Sequence, residues 1–204
     1  KTIKLHLERV HWESTVWIDN KKVDMQNSLA TAHNYDLSDF LTSGVHTISI
    51  RVDNSIKNIN VGKDAHSISD NTQTNWNGIV GGIKLNVSPK LSLGVVKLYP
   101  NVSANSVKVV AQIQGNTEDV KPELTLQVSE KSNKKNTIKA VIKDIQLDVD
   151  NKVVVNFDMG ENPKLWDEFN PNLYEMQLVL KSNKTIDAKR IDFGMREFKA
   201  DGTI

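Results

Sequence analysis

The chain contains no cysteine. That absence excludes disulfide bridges, zinc–thiolate sites and thiol nucleophiles together, and it leaves the compartment open. No apolar run approaches the ~18–20 residues that a membrane-spanning helix needs. The first residues, Lys1-Thr2-Ile3-Lys4-Leu5, carry no signal-peptide pattern and read as the middle of a strand, so a fragment of a longer protein is expected. An excess of charge of either sign is also missing: 26 cationic against 25 anionic side chains leave a formal net charge of +1. Nucleic acid and anionic membranes would favour a basic stripe, so neither is expected as a partner. The densest basic stretch, Lys131 to Lys139, reads as a solvated hairpin tip.

What is present is alternation. His46, Ile48, Ile50 and Val52 share one parity, and Thr47, Ser49, Arg51 and Asp53 the other, as in a half-buried strand. The same period recurs in Val107 to Ile113, Leu124 to Val128, Ile138 to Ile142, Val153 to Phe157 and Met176 to Leu180. Short clusters of Asn, Asp, Gly, Ser and Lys separate these runs, which favours antiparallel sandwiches over βαβ units. No segment holds a helical period, although Asp36 to Leu41 allows one short turn with Asp36 as its cap. The fold class is all-β.

Pro89 ends the strand containing Ile83, Leu85 and Val87, because proline removes a donor from the ladder. We place a domain boundary there. Residues 1–90 read as a jelly-roll domain whose opening strands are missing, with longer irregular loops and three of the four tryptophans. Residues 91–197 hold about seven short strands, as in an immunoglobulin-like sandwich. Residues 198–204 read as the start of a connection to a further domain. Trp12 and Trp17 have opposite parity; one suits the core, and the other suits either an edge or a platform for a sugar ring.

Several motifs occur in an order that resembles glycoside hydrolase family 2, the group of β-galactosidases, β-glucuronidases and β-mannosidases. Thr15-Val16-Trp17-Ile18-Asp19-Asn20 is similar to the family's strand-plus-turn, with Asn20 where Gly is usual. Tyr35-Asp36-Leu37 through Gly44, His46 and Asp53-Asn54 follows, and then Trp76-Asn77-Gly78-Ile79, with Gly81 where the β-galactosidases commonly have Arg. Leu165-Trp166, Pro171-Asn172-Leu173-Tyr174, Asp187 and Gly194-Met195-Arg196 resemble the end of the family's immunoglobulin-like domain, Met195 replacing the usual Phe.

The resemblance implies a β-galactosidase-like O-glycosyl hydrolase whose two catalytic glutamates lie in a C-terminal barrel absent from this chain. The chain itself then holds no catalytic residue and is inactive alone. Its partners would be that barrel and, through the parent enzyme, a carbohydrate substrate. No cofactor is implied. A periplasmic or secreted location follows from the family's use in glycan scavenging. An acidic residue from this part of the family's sugar-binding domain reaches the active site, and Asp70 is the candidate, with Asn75 and Trp76 beside it as further substrate-binding residues. They lie in the long polar loop from Val61 to Asn77, of the kind that is often functional. A structural role for the Asp70 carboxylate is the alternative.

The five histidines lack metal-ligand spacing, and Asp144, Asp148 and Asp150 alternate along a strand-like run, so no metal site is expected. Glu8 with Glu13, on alternating strand residues, and Glu161 with Asp167 and Glu168, in the irregular loop before Pro171, are the tempting acidic groups, but neither has the family's Asn-Glu context. A stand-alone carbohydrate-binding module and an adhesin-like structural protein are the rival readings. Missing opening strands would leave unpaired edges, and self-association through the first domain is expected from them.

Overall fold

A computed structural model describes residues 1–55, 77–115, 121–134, 137–143, 145–182, 185–198 and 202. Among these, every regular element is a β-strand and every ladder between strands is antiparallel. The chain divides into two compact units, Lys1–Ser88 and Pro89–Ile204.

The first unit contains β1 (Thr2–Leu7), β2 (Val10–His11), β3 (Glu13–Ile18), β4 (Lys21–Asn27), β5 (His33–Asp36), β6 (Ile48–Asp53), β7 (Gly78–Ile79) and β8 (Ile83–Ser88). One sheet has the order β5-β1-β8, a second β4-β3-β6, and β2 pairs with β7. Leu5 and Leu7 of β1, Val16 and Ile18 of β3, and Tyr35 of β5 form the core with Val10 and Leu37. Removing these apolar side chains from water supplies the main driving force for their contact.

A polar tie crosses that core. Ser14 Oγ, on β3, lies 2.6 Å from His33 Nδ1 and 2.6 Å from the Tyr35 hydroxyl, both on β5. The Tyr35 hydroxyl also donates to the Ser14 carbonyl at 2.8 Å, and burial raises the phenol's pKa, which keeps it a donor. His33 Nε2 donates to the Ser28 carbonyl at 3.0 Å. All three side chains are buried, so losing the Ser14 hydroxyl would strand His33 Nδ1 at a cost of about 1–3 kcal/mol.

The turn between β3 and β4 takes a left-handed backbone, with φ of +47° at Asp19 and +68° at Asn20, which asparagine in place of the usual glycine tolerates better than most residues. Asp36 accepts from the Ser38 amide at 2.9 Å and so opens the single turn that runs to Leu41. β8 departs from the sequence reading. Ile83, Leu85 and Val87 share a parity with the core residues Leu7 and Leu5 opposite them, yet they are 57%, 51% and 53% exposed. β8 is the outer strand of its sheet, and no described strand pairs with its free edge.

Among the described residues the second unit has seven strands: β9 (Ser92–Asn101), β10 (Ser106–Gln114), β11 (Glu123–Glu130), β12 (Thr137–Ile142), β13 (Lys152–Asp158), β14 (Tyr174–Ser182) and β15 (Thr185–Phe193). They form a sheet ordered β13-β10-β9 and another ordered β12-β11-β14-β15. Val107, Val109, Ala111 and Ile113 from the first meet Leu124, Leu126, Met176, Leu178 and Leu180 from the second in one apolar core. Asp187, on β15, accepts a 2.8 Å hydrogen bond from the Leu93 amide of β9, and Lys189 Nζ donates to the Gly94 carbonyl. These two bonds tie edge strands of the two sheets together.

Two local expectations change. Asp148 and Asp150 do not lie on a strand: Asp148 Oδ1 accepts the amides of Asp150 (2.9 Å) and Lys152 (2.8 Å), a turn that Asn151 completes at φ +57°. Glu8 stands in a break between β1 and β2 rather than within a strand.

The β3–β4 turn also generates a pH prediction. His46 Nδ1 lies 2.5 Å from Asp19 Oδ2, and the Thr47 amide donates to Asp19 Oδ1 at 2.8 Å. The hydrogen bond to Asp19 raises the imidazole pKa above its ordinary 6.5. The Thr47 amide, and then His46, hold the Asp19 carboxyl below its ordinary 3.8. His46 therefore contributes stability fully below pH 6.5, and loses it as pH rises through its raised pKa. Asp19 contributes above pH 3.8, and loses its share as pH falls through its lowered pKa. An NMR titration should show His46 deprotonating above pH 6.5, with Asp19→Asn moving the midpoint down; a midpoint unmoved by that substitution would refute the pairing.

Candidate functional site

Asp70, Asn75 and Trp76 lie outside the described residues, so the site is built from the framework at the two ends of their loop. On one side, β6 ends at Asp53, whose carboxylate accepts the Ser55 amide at 3.0 Å. On the other, Asn77 leads into β7, and its side-chain oxygen accepts from the Asn54 amide group. The two ends are thus held together by the Asn54–Asn77 side-chain hydrogen bond.

β7 is fixed in turn by the segment Glu8 to His11. Val10 pairs with Ile79 and His11 with Gly78, while the Val80 amide donates to the Arg9 carbonyl at 3.1 Å. Glu8 and Gly81–Gly82 exchange backbone bonds of 2.9 and 3.0 Å, and the Gly82 amide donates to the Glu8 carboxylate at 2.9 Å. That last bond is the main reason the Glu8 pKa is lowered. A Cβ on Gly81 would lie 2.7 Å from the Glu8 backbone oxygen and from its side-chain carbons. The glycine found where the β-galactosidases commonly have arginine therefore has a local cause: there is no room for a side chain. The Gly81–Gly82 pair is the seat for Glu8.

Beside this segment, Arg9, Val10, His11, Leu29 and Val80 line a cavity of about 340 Å³. His11 Nδ1 is buried there without a hydrogen-bond partner among the described residues. Neither Arg9 nor His11 belongs to a recognisable spacing; only the backbone bonds to β7 and Val80 bring them to the base of the loop. Of the acidic groups weighed from sequence, Glu13 pairs with Arg51 at 3.3 Å and Asp167 organises a turn.

That turn belongs to a second constellation, at the C-terminal end of the second unit. Asp167 Oδ1 accepts the amides of Phe169 at 2.9 Å and Asn170 at 2.6 Å. These bonds, the Asn170 amide foremost, hold its carboxyl below the usual range. Leu165 bridges to Met195 in parallel, the Trp166 amide donates to the Met195 carbonyl at 2.9 Å, and Trp166 bridges to Pro171. The Tyr174 hydroxyl accepts the Lys164 amide at 2.7 Å, and its ring stacks on Phe193 with centroids 5.6 Å apart.

Gly194 explains why a glycine stands between Phe193 and Met195. A Cβ there would lie 2.8 to 3.1 Å from three atoms of the Trp166 side chain, closer than packed carbon atoms approach. Arg196 then lays its guanidinium over the Trp166 ring, 4.6 Å from the centroid, as cations do over indole faces. The motif residues that are separate in sequence therefore form one interlocked cluster. Around it Leu165, Phe169, Leu173 and Phe198 remain exposed.

The comparisons with known proteins agree with this architecture. The family model for glycosyl hydrolases family 2 matches residues 92–196, which is the seven-strand unit with its Trp166–Arg196 cluster. The chain belongs to this family. A protein of Formosa agariphila with a provisional β-glucuronidase name is 28% identical over 99% of the chain, and a second from the same organism is 26% identical over 96%. The chain spans 24% and 18% of their lengths, about a quarter or less. Among solved structures, the β-glucuronidase of Parabacteroides merdae superposes with a TM-score of 0.74 at 22% identity, over 95% of this chain and 25% of that one. A Bacteroides uniformis β-glucuronidase covalently bound to a cyclophellitol-6-carboxylate aziridine gives 0.68 at 21% identity, over 98% and 25%.

Replacing Gly194 with Ala forces the indole of Trp166 away from its present position. The expected loss is about 1–3 kcal/mol, as for other over-packed sites, with a change in tryptophan emission. An unchanged melting temperature and spectrum in Gly194→Ala would show that the close approach is not structurally required.

Proposed function

We propose that this chain is the non-catalytic accessory portion of a family 2 hydrolase that cleaves terminal β-glycosidic bonds, with β-glucuronides as the first substrates to test. The observation that carries the reading is the match of nearly the whole chain to about a quarter of longer β-glucuronidase-like proteins. In such an enzyme the chemistry needs two carboxyl groups flanking one bond, and retention of configuration places them about 5–5.5 Å apart. Both glutamates belong to a barrel outside this chain. The two units brace that barrel, and the loop carrying Asp70, Asn75 and Trp76 contributes to the rim of the pocket.

Two features support the bracing role. The exposed Leu165, Phe169, Leu173 and Phe198 lie around an interlocked cluster, and such a surface suits burial against a further domain. Arg196, already stacked on Trp166, keeps its guanidinium donors for acceptors across that junction. A periplasmic or secreted location fits the same role in glycan breakdown.

Hydrolysis of nitrophenyl β-glucuronide, β-galactoside and β-mannoside by the full-length protein, beside the 204-residue chain, tests the reading. Turnover of the glucuronide by the long form alone is expected; turnover by the short chain would overturn the accessory role, and turnover by neither would overturn the hydrolase. The uncovered apolar row of β8 predicts that the 204-residue chain self-associates through its first unit. Sedimentation should show concentration-dependent association that Leu85→Lys abolishes, and a monomer at all concentrations would count against it.

A further inference from the structure

The outward face of the sheet β13-β10-β9 differs from an ordinary solvated sheet surface. Along β10, the buried Val107, Val109, Ala111 and Ile113 alternate with Lys108, Val110 and Gln112 facing out. The ladders set Lys108 beside Tyr99 and Asn156, Val110 beside Lys97 and Val154, and Gln112 beside Lys152. Val95, Lys97, Tyr99, Val110, Gln112 and Lys152 together line an open trough of about 440 Å³. Tyr99 stands 50% exposed at one end, and Val95 and Val154 are also uncovered.

A β-bulge shapes this trough. Val96 pairs with Ala111 and Leu93 with Ile113, so Gly94 and Val95 both stand opposite Gln112. The extra residue turns Val95 outward. Gly94 leaves space for Gln112 to lie across the strand, since a Cβ there would come within 2.9 Å of the Gln112 side-chain oxygen. From Val95 to Tyr99 the trough runs about 13 Å along the strand, at ~3.3 Å per residue.

The charge on this face is one-sided. Lys97, Lys108 and Lys152 project from it, against Asp158 at the far end of β13, whose carboxylate accepts the Gly160 amide at 2.8 Å. Lys152 is bound by Asp150 at 2.6 Å. Among the described residues, the side chains of Lys97, Lys108, Tyr99 and Gln112 make no hydrogen bond or ion pair with the protein, although their backbones belong to the ladders. In a chain whose charges nearly cancel, two unpaired ammonium groups, a free amide and a free phenol border one trough.

We propose that this trough binds an anionic glycan, an extended oligosaccharide bearing uronate carboxylates. The exposed Tyr99 ring offers an apolar face to the C–H face of a pyranose, with its hydroxyl left for a hydrogen bond. Gln112 both donates and accepts, as sugar hydroxyls require, and Lys97 and Lys108 supply charge for the carboxylates. An open trough along a sheet suits a chain lying on the surface rather than a small molecule enclosed within it. The single ring and the absence of arginine from this face favour a glycan over nucleic acid, whose sites use successive stacking rings and arginine.

The test is calorimetric titration of the full-length protein with hexagalacturonate, and in parallel with cellohexaose and a dT hexanucleotide. Hexagalacturonate should bind with an affinity that falls as salt rises, and cellohexaose should bind far more weakly. Tyr99→Ala should weaken hexagalacturonate about tenfold. The double variant Lys97→Gln with Lys108→Gln should weaken it comparably and flatten the salt dependence. All three positions are exposed, so the melting temperature checks folding independently. Absence of binding, or binding unchanged in both variants, would overturn the proposal. So would equally tight binding of the hexanucleotide lost in the same variants, which marks a general polyanion surface. Hydrolysis of the nitrophenyl glycosides is read separately on the same preparations, so failure here leaves the hydrolase reading standing.

Discussion

Both units depend on polar ties between apolar layers. Hydrophobic burial brings two sheets together without fixing how they slide, because it is non-directional. Direction comes from a few hydrogen bonds that join strands of different sheets: Ser14 with His33 and Tyr35 in the first unit, Asp187 with the Leu93 amide in the second. Because Ser14, His33 and Tyr35 are buried, each partner lost leaves another unsatisfied, so the tie selects one arrangement more sharply than its net energy suggests.

The same logic makes sense of motifs that looked unrelated in the chain. Trp166 is far in sequence from Gly194 and Arg196 but occupies one stack with them, the glycine being there because an indole needs its space. Gly81 stands in the same relation to Glu8. In both places a departure or a fixed small residue records a close approach between distant segments, and the constraint belongs to the pair rather than to either residue.

Period-two alternation made the strands of the second unit legible, because β10, β11 and β14 bury one parity completely. It misled at β8, where parity marks Ile83, Leu85 and Val87 as inward although nothing described covers them; alternation reports which face a side chain takes, not whether that face is buried. The Asp148–Asn151 turn reads as strand because acidic and apolar residues alternate there, although Asp150-Asn151 is itself a turn signal that the alternation outweighed. The polar loop stands out from composition only as a candidate, and Asp70, Asn75 and Trp76 lie outside the described residues. The base of that loop does not stand out, since Arg9 and His11 reach it only through backbone bonds to β7 and Val80. The trough on β9 and β10 was equally hidden, because the bulge at Gly94 and Val95 shifts parity by one residue within a continuous apolar run.

The interlock at Trp166 has a mechanical consequence. The segment after β15 is held twice, by the parallel bridge from Met195 to Leu165 and by the stack of Arg196 on the indole. A load applied at Phe198 would therefore reach the 165–174 loop as well as β15. From that loop it passes through the Trp166–Pro171 bridge to Tyr174, at the head of the neighbouring strand β14. Two adjacent strands then share the force along their length, so the segment is anchored to two strands rather than to one.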